Sequence, residues 1–79
     1  MIQINSEGSK DGLCEFYYTN GQLHIKGNYV SGNKEGYWEY YHGNGKLYIK
    51  GNYINDKEDG LWEYYCYEGE LTGKELYIN

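Results

Sequence analysis

Few side chains in this 79-residue chain have the types and spacing for chemistry. Glu15, Glu39 and Glu63 recur at intervals of 24 residues, and paired carboxylates can act as acid and base when one of them is held protonated. That demands a carboxyl pKa raised by burial or by a second carboxylate close by. His24, His42, Cys14 and Cys66 are possible metal ligands, yet no spacing among them matches a zinc motif. No nucleophile has a base placed beside it by sequence. The chain therefore reads as a non-enzyme, with no catalytic, cofactor-binding or metal-binding residues. The tyrosines are a different matter. Tyr17, Tyr41 and Tyr65 repeat at the same interval, joined by Tyr37 and Tyr48, and tyrosine is favoured where a surface must be apolar and still hydrogen-bond.

These residues are positioned by a repeat. Shifting the sequence by 24 residues superposes Gly12, Gly36 and Gly60; Tyr17, Tyr41 and Tyr65; Leu23, Leu47 and Leu71; and Lys26, Lys50 and Lys74, with no gap. In the middle copy Asn44-Gly45 lies between YWEYYH and KLYIKGNYI, the strongest short-range signal for a β-hairpin. With Asn44 and Gly45 as a two-residue loop, Gly43 should face Lys46, His42 face Leu47, Tyr40 face Ile49, Glu39 face Lys50 and Trp38 face Gly51. The same count sets Glu15 against Lys26 and Glu63 against Lys74, predicting three cross-strand ion pairs. Strands are expected at 13–18, 23–30, 37–42, 47–54, 61–66 and 71–78, with a short edge strand in 1–5. The turns between repeats, about four residues, should be longer than those within them.

Alternation along the strands sorts side chains into two faces. Cys14, Phe16, Ile25, Tyr29, Trp38, Tyr40, His42, Ile49, Tyr53, Trp62, Tyr64, Cys66, Leu71 and Tyr77 should form the buried face, with Gly51 leaving room for the Trp38 indole. The glutamates, the lysines, His24 and the five tyrosines should be wet. A lysine opposite each open glutamate argues for structural pairing over acid catalysis. His24 and His42 fall on opposite faces and cannot share a metal. Cys14 and Cys66, about 19 Å apart over four strand spacings, are too distant for a disulfide and read as free thiols.

Twelve tyrosines, twelve glycines and no proline describe an all-β chain. The expected fold is a single elongated, twisted antiparallel meander of consecutive β-hairpin repeats with a 24-residue period. One domain should span 1–79, with 1–10 as an N-terminal cap or partial repeat, 11–34 and 35–58 as two full repeats, and 59–79 as a third repeat and C-terminal cap. The net charge of −5 argues against nucleic acid and against anionic membrane, which call for basic patches. With no apolar signal segment at the start, the default compartment is the cytoplasm.

The pattern G-x-W-E-Y-Y-x-x-x-G-x-L, followed by x-G-x-Y, resembles the MORN repeat over residues 11–77, in the bacterial variant form that carries an antitoxin-repeat name. The resemblance implies a hairpin sheet used as a scaffold or a platform for proteins, with lipid binding in some members and no catalytic residues. Cys14 stands where the other copies have Trp38 and Trp62, Glu75 where they have Gly27 and Gly51, and Glu68 where they have the turn asparagine. Drift of this kind in outer repeats marks caps. The expected function is a protein-interaction or scaffold module, antitoxin-like in type, contacting a protein partner through Tyr17, Tyr37, Tyr41, Tyr48 and Tyr65. The alternative is carbohydrate or cell-wall binding along the aromatic ladder. Leu76 and Ile78 on the last strand add the expectation of a homodimer through the C-terminal repeat.

Overall fold

The computed structural model describes the backbone of residues 3–4 and 10–78 and the side chains of residues 11–78. The strands are β1 (Gln3–Ile4), β2 (Lys10–Tyr17), β3 (Leu23–Val30), β4 (Asn33–Tyr41), β5 (Leu47–Ile54), β6 (Lys57–Tyr65) and β7 (Leu71–Tyr77). They pair in chain order, all antiparallel, in one open sheet. The described residues contain no helix. The expected edge strand survives as Gln3–Ile4 against Asp11 and Lys10; the rest of 1–5 lies outside the described residues.

The turns reverse the expectation from sequence. The links between repeats are the tight ones: Ser31-Gly32 (φ 51° and 86°) and Asn55-Asp56 (φ 49° and 73°) have both central residues left-handed, the signature of type I′. Accordingly β4 and β6 begin at Asn33 and Lys57, earlier than the expected 37 and 61. Within a repeat the loop is longer. His42 N–H donates to the Lys46 carbonyl at 2.8 Å and Gly45 N–H to the His42 carbonyl at 3.0 Å, with Gly45 at φ 88°. This is a three-residue loop closed by a left-handed glycine, so Asn44-Gly45 marks a hairpin without being its two-residue turn.

Two irregularities then restore the ladder. The longer loop pairs Tyr41 with Leu47, and a bulge at Tyr48 returns the register to Tyr40–Ile49, Glu39–Lys50 and Trp38–Gly51. The expected pairs His42–Leu47 and Gly43–Lys46 are therefore wrong, while those from Tyr40 outward are right. Between repeats, Asn28–Glu35 and Lys26–Glu39 bracket Gly27 on β3 and three residues, Gly36, Tyr37 and Trp38, on β4. Two extra residues preserve the facing of side chains and bend the strand. Gly36 takes φ 78° and Gly60, at the same place in β6, φ 75°.

These bulges build the core. Trp38 projects over Gly27, where a Cβ would fall inside its indole, and Trp62 lies likewise over Gly51. The room at Gly51 thus belongs to Trp62 rather than to Trp38, its ladder partner. Each indole donates to the carbonyl one residue beyond that glycine, Asn28 and Asn52, at 3.1 Å. Tyrosines stand edge-on between and beside them, giving the series Tyr29–Trp38–Tyr53–Trp62–Tyr77 with ring centroids 5.0 to 6.1 Å apart. Trp38 is 1% exposed, Trp62 4% and Tyr53 8% in a sheet whose Cα extents are 42 × 35 × 11 Å. An aromatic face that would otherwise need a second layer is covered by its own flat-lying indoles. Phe16 and Leu71, expected inside, remain exposed. Neither cysteine is in a disulfide; Cys14 is buried and Cys66 half-buried.

Candidate interaction surface

On the opposite face, the pairing of β2 to β7 aligns one residue from each strand into a continuous row. Glu15 pairs with Lys26, Lys26 with Glu39, Glu39 with Lys50, Lys50 with Glu63 and Glu63 with Lys74. Six charges alternate in sign across the sheet. The three pairs within hairpins follow from counting out of the turns, whereas their continuation between repeats does not, because the two-residue bulge that creates it has no simple sequence signal. The ion pair of Lys50 also differs from the expected one with Glu39. Lys50 Nζ approaches Glu63 at 3.3 Å, across the repeat boundary, and lies 5.8 Å from the Tyr65 ring centre. Bonds to Glu63 and to Tyr65 hold its ammonium above the usual lysine range.

Glu15 and Glu39 turn to the tyrosines instead. Glu39 accepts from the Tyr41 hydroxyl at 2.8 Å and the Tyr37 hydroxyl at 3.1 Å, and Glu15 accepts from Tyr17 at 3.3 Å. Alternate residues of one strand share a face, so the carboxylate lies between its two hydroxyls. Burial, then the Glu39 bond and charge, push the Tyr41 phenol up to about 12. Tyr37 is raised for the same reasons in the same order, and Tyr17 chiefly by the Glu15 charge. These phenols stay neutral donors through the physiological range. Tyr17 and Tyr37 are exposed, at 58% and 49%, while Tyr41 and Tyr65 are half-buried.

Tyr48 stands apart. As the bulge residue of β5 it packs on His42, centroids 4.5 Å apart, beside the hairpin loop. The equivalent pair one repeat earlier is Tyr18 stacked on His24 at 4.1 Å. The bulge thus breaks the alternation that assigned Tyr48 and His42 to opposite faces. Loop ends are laced to the next repeat by backbone acceptors: the Tyr18 hydroxyl donates to the Tyr41 carbonyl at 2.6 Å, and His42 Nε2–H to the Tyr65 carbonyl at 3.0 Å. A pocket of about 420 Å³ opens at the other end of the strands, beside Asp11, Tyr29, Glu35 and Gly36. Its carboxylates already cap the tight turns, Asp11 accepting from Ser31 N–H and Glu35 from Asn55 N–H.

Apolar side chains flank the charge row. Leu13, Leu61 and Leu76 are 42%, 50% and 66% exposed, with Leu61 directly opposite Leu76. Glu75, where the other repeats have the glycine beneath an indole, instead accepts from the Tyr64 and Tyr77 hydroxyls at 3.2 and 3.3 Å. No helix among the described residues is long and apolar enough to cross a membrane.

Comparison with known proteins agrees with this architecture. The family model described as the MORN repeat variant matches residues 10–31 and 34–55, the first two hairpins of the long sheet. No curated protein and no solved structure matches the chain. MORN repeats often serve in protein–protein or membrane-binding roles. With more than half its length covered by two successive matches, this chain belongs to the MORN repeat variant family.

Proposed function

We propose that the protein is a non-enzymatic interaction module, antitoxin-like in the sense of holding a protein partner, which it contacts through the sheet face bearing Tyr17, Tyr37, Tyr41 and Tyr65. The observation that carries this reading is the row of six alternating charges framed by tyrosines, of which Tyr17 and Tyr37 are exposed and Tyr41 and Tyr65 half-buried. Aromatic area supplies contact energy and a fixed charge pattern supplies register and selectivity. Tyr37 and Tyr41 are held in place by Glu39, which lowers the ordering cost on binding. Tyr48 belongs to the hairpin-loop edge and contributes at the rim. A carbohydrate chain would favour uninterrupted ring faces, and here long lysine and glutamate side chains stand between the rings.

Photo-crosslinking residues placed at Tyr37 and, as a control, at Ile25 in the aromatic core layer provide the test. A protein adduct from position 37 and none from position 25 is expected. Adducts formed equally from both, or glycan-array binding lost on Tyr37→Ala without any protein adduct, would reject the reading in favour of a non-specific or a carbohydrate-binding surface.

A further inference from the structure

We infer that the partner of this face includes a second copy of the chain, docked face to face about a two-fold axis parallel to the strands and passing between β4 and β5. This rests on the reading of the tyrosine face as a docking surface, and it names one occupant. The order of the charges favours this occupant. Read from β2 to β7 the row is Glu15, Lys26, Glu39, Lys50, Glu63, Lys74. Reversed, it is the same row with every sign exchanged. A two-fold axis along the strands keeps each residue at its height while reversing strand order, so Glu39 meets Lys50 of the second copy, Lys26 meets Glu63 and Glu15 meets Lys74. All six contacts are attractive, and a one-strand offset makes the facing contacts repulsive.

The flanking residues agree. One step along the strands the same operation sets exposed Leu13 against exposed Leu76, bringing the C-terminal strand into the interface. A plate with Cα extents of 42 × 35 Å offers well over the ~800 Å² per partner that stable interfaces bury. Sheets that pack aligned do so about 10 Å apart and within about 30° of parallel. That separation accommodates glutamate–lysine contacts, and the angle keeps the central pairs, those of Glu39 and Lys50, closest to register.

The experiment is a charge swap in trans. Sedimentation velocity at low salt and rising concentration should show the native chain dimerising. Glu39→Lys sets lysine against lysine twice, and Lys50→Glu sets glutamate against glutamate twice, so each variant alone should self-associate at least about tenfold more weakly. An equimolar mixture of the two restores both contacts and should dimerise again. Damage within one sheet cannot be repaired by the other chain, so rescue reports the interface itself. Glu15→Lys mixed with Lys74→Glu repeats the test at the ends of the row should a central variant fail to fold.

A dimer indifferent to the single substitutions would overturn the inference and point to edge pairing through β7. A native chain that stays monomeric while position 37 crosslinks to another protein would overturn self-docking and leave the tyrosine-face reading intact. A monomer with no adduct from position 37 would remove both.

Discussion

Gly51→Ala adds a single methyl group, and the structure assigns it an effect far larger than its size. Gly51 is not in the left-handed region, so alanine is acceptable to the backbone and would ordinarily be neutral or slightly stabilising in such a position, by about 0.4–1 kcal/mol. The new Cβ, however, would occupy the centre of the Trp62 indole. Trp62 is 4% exposed, stands edge-on to Tyr53 at 5.0 Å and donates to the Asn52 carbonyl at 3.1 Å. Displacing it forfeits aromatic contacts of about 0.5–1.5 kcal/mol each, a hydrogen bond of about 1 kcal/mol, and much of the indole's burial. The ceiling is the ~3–5 kcal/mol of a tryptophan truncated to alanine. We expect about 3 kcal/mol, against a total of roughly 4–12 kcal/mol for a domain of this length. Gly73→Ala is the control, for its Cβ would meet only Tyr64 Cδ2, at 3.8 Å. Urea unfolding followed by tryptophan fluorescence should give a sharply lowered midpoint for the first variant and an unchanged or raised one for the second. Equal midpoints would refute the indole-over-glycine account of the core.

Other consequences can be measured on the same protein. Trp38→Ala should cost about 3–5 kcal/mol while Tyr37→Ala, one residue away but half-exposed, should cost under about 1 kcal/mol; comparable losses by chemical denaturation would invert the face assignment. Gly60→Ala introduces a Cβ into open space at φ 75°, so its cost should be that of left-handed backbone alone, about 1–2 kcal/mol. Raising the pH should also destabilise the sheet. Tyr41 is raised to about 12, Tyr53 and Tyr64 are raised too, by burial and by the Tyr77 hydroxyl respectively, and the unfolded tyrosine value is about 10. A raised folded pKa stabilises fully below pH 10 and loses that contribution as pH climbs towards 12. Phenolate absorbance should therefore lag in the native protein and appear with unfolding; complete titration near pH 10 with the fold intact would contradict this.

The repeat, the hairpins, the strand order and the Glu–Lys opposition were legible because each recurs three times in 79 residues. The turns were not. Asn44-Gly45 carries the residues of a type I′ turn, yet the left-handed position falls on Gly45 alone, and Ser31-Gly32 and Asn55-Asp56 form the type I′ turns instead. The register nevertheless came out right over most of each hairpin, because the extra loop residue and the bulge at Tyr48 shift it by one in opposite senses. Where the two do not cancel, at His42 and Tyr48, the face assignment failed. The charge row was half legible for a related reason: counting from a turn cannot anticipate two extra residues at Gly36 and Gly60, which carry Lys26 to Glu39 and Lys50 to Glu63.

The same bulges explain why the glycines, tryptophans and asparagines must be read together. A tryptophan from one repeat lies over the glycine of the repeat before it and donates to the adjacent asparagine carbonyl, so Trp38 ties the second repeat to the first and Trp62 ties the third to the second. Each unit contacts chiefly its neighbours, as in other repeat proteins, and coupling between units makes the array cooperative. Both ties involve the second repeat, so loss of either releases an outer hairpin, whereas disruption of the middle one releases both. Glu75 occupies the position of Gly27 and Gly51 and holds two tyrosine hydroxyls there, a carboxylate on which an indole could not lie without being desolvated against charge. Cys14 occupies the position of the tryptophans and is fully buried. The outermost copies thus lack one half of the tie each, and what remains continuous from β2 to β7 is the charge row. Its positions are set by backbone pairing and do not depend on which aromatic fills the core. A surface of that kind can keep one pattern while the repeats beneath it drift.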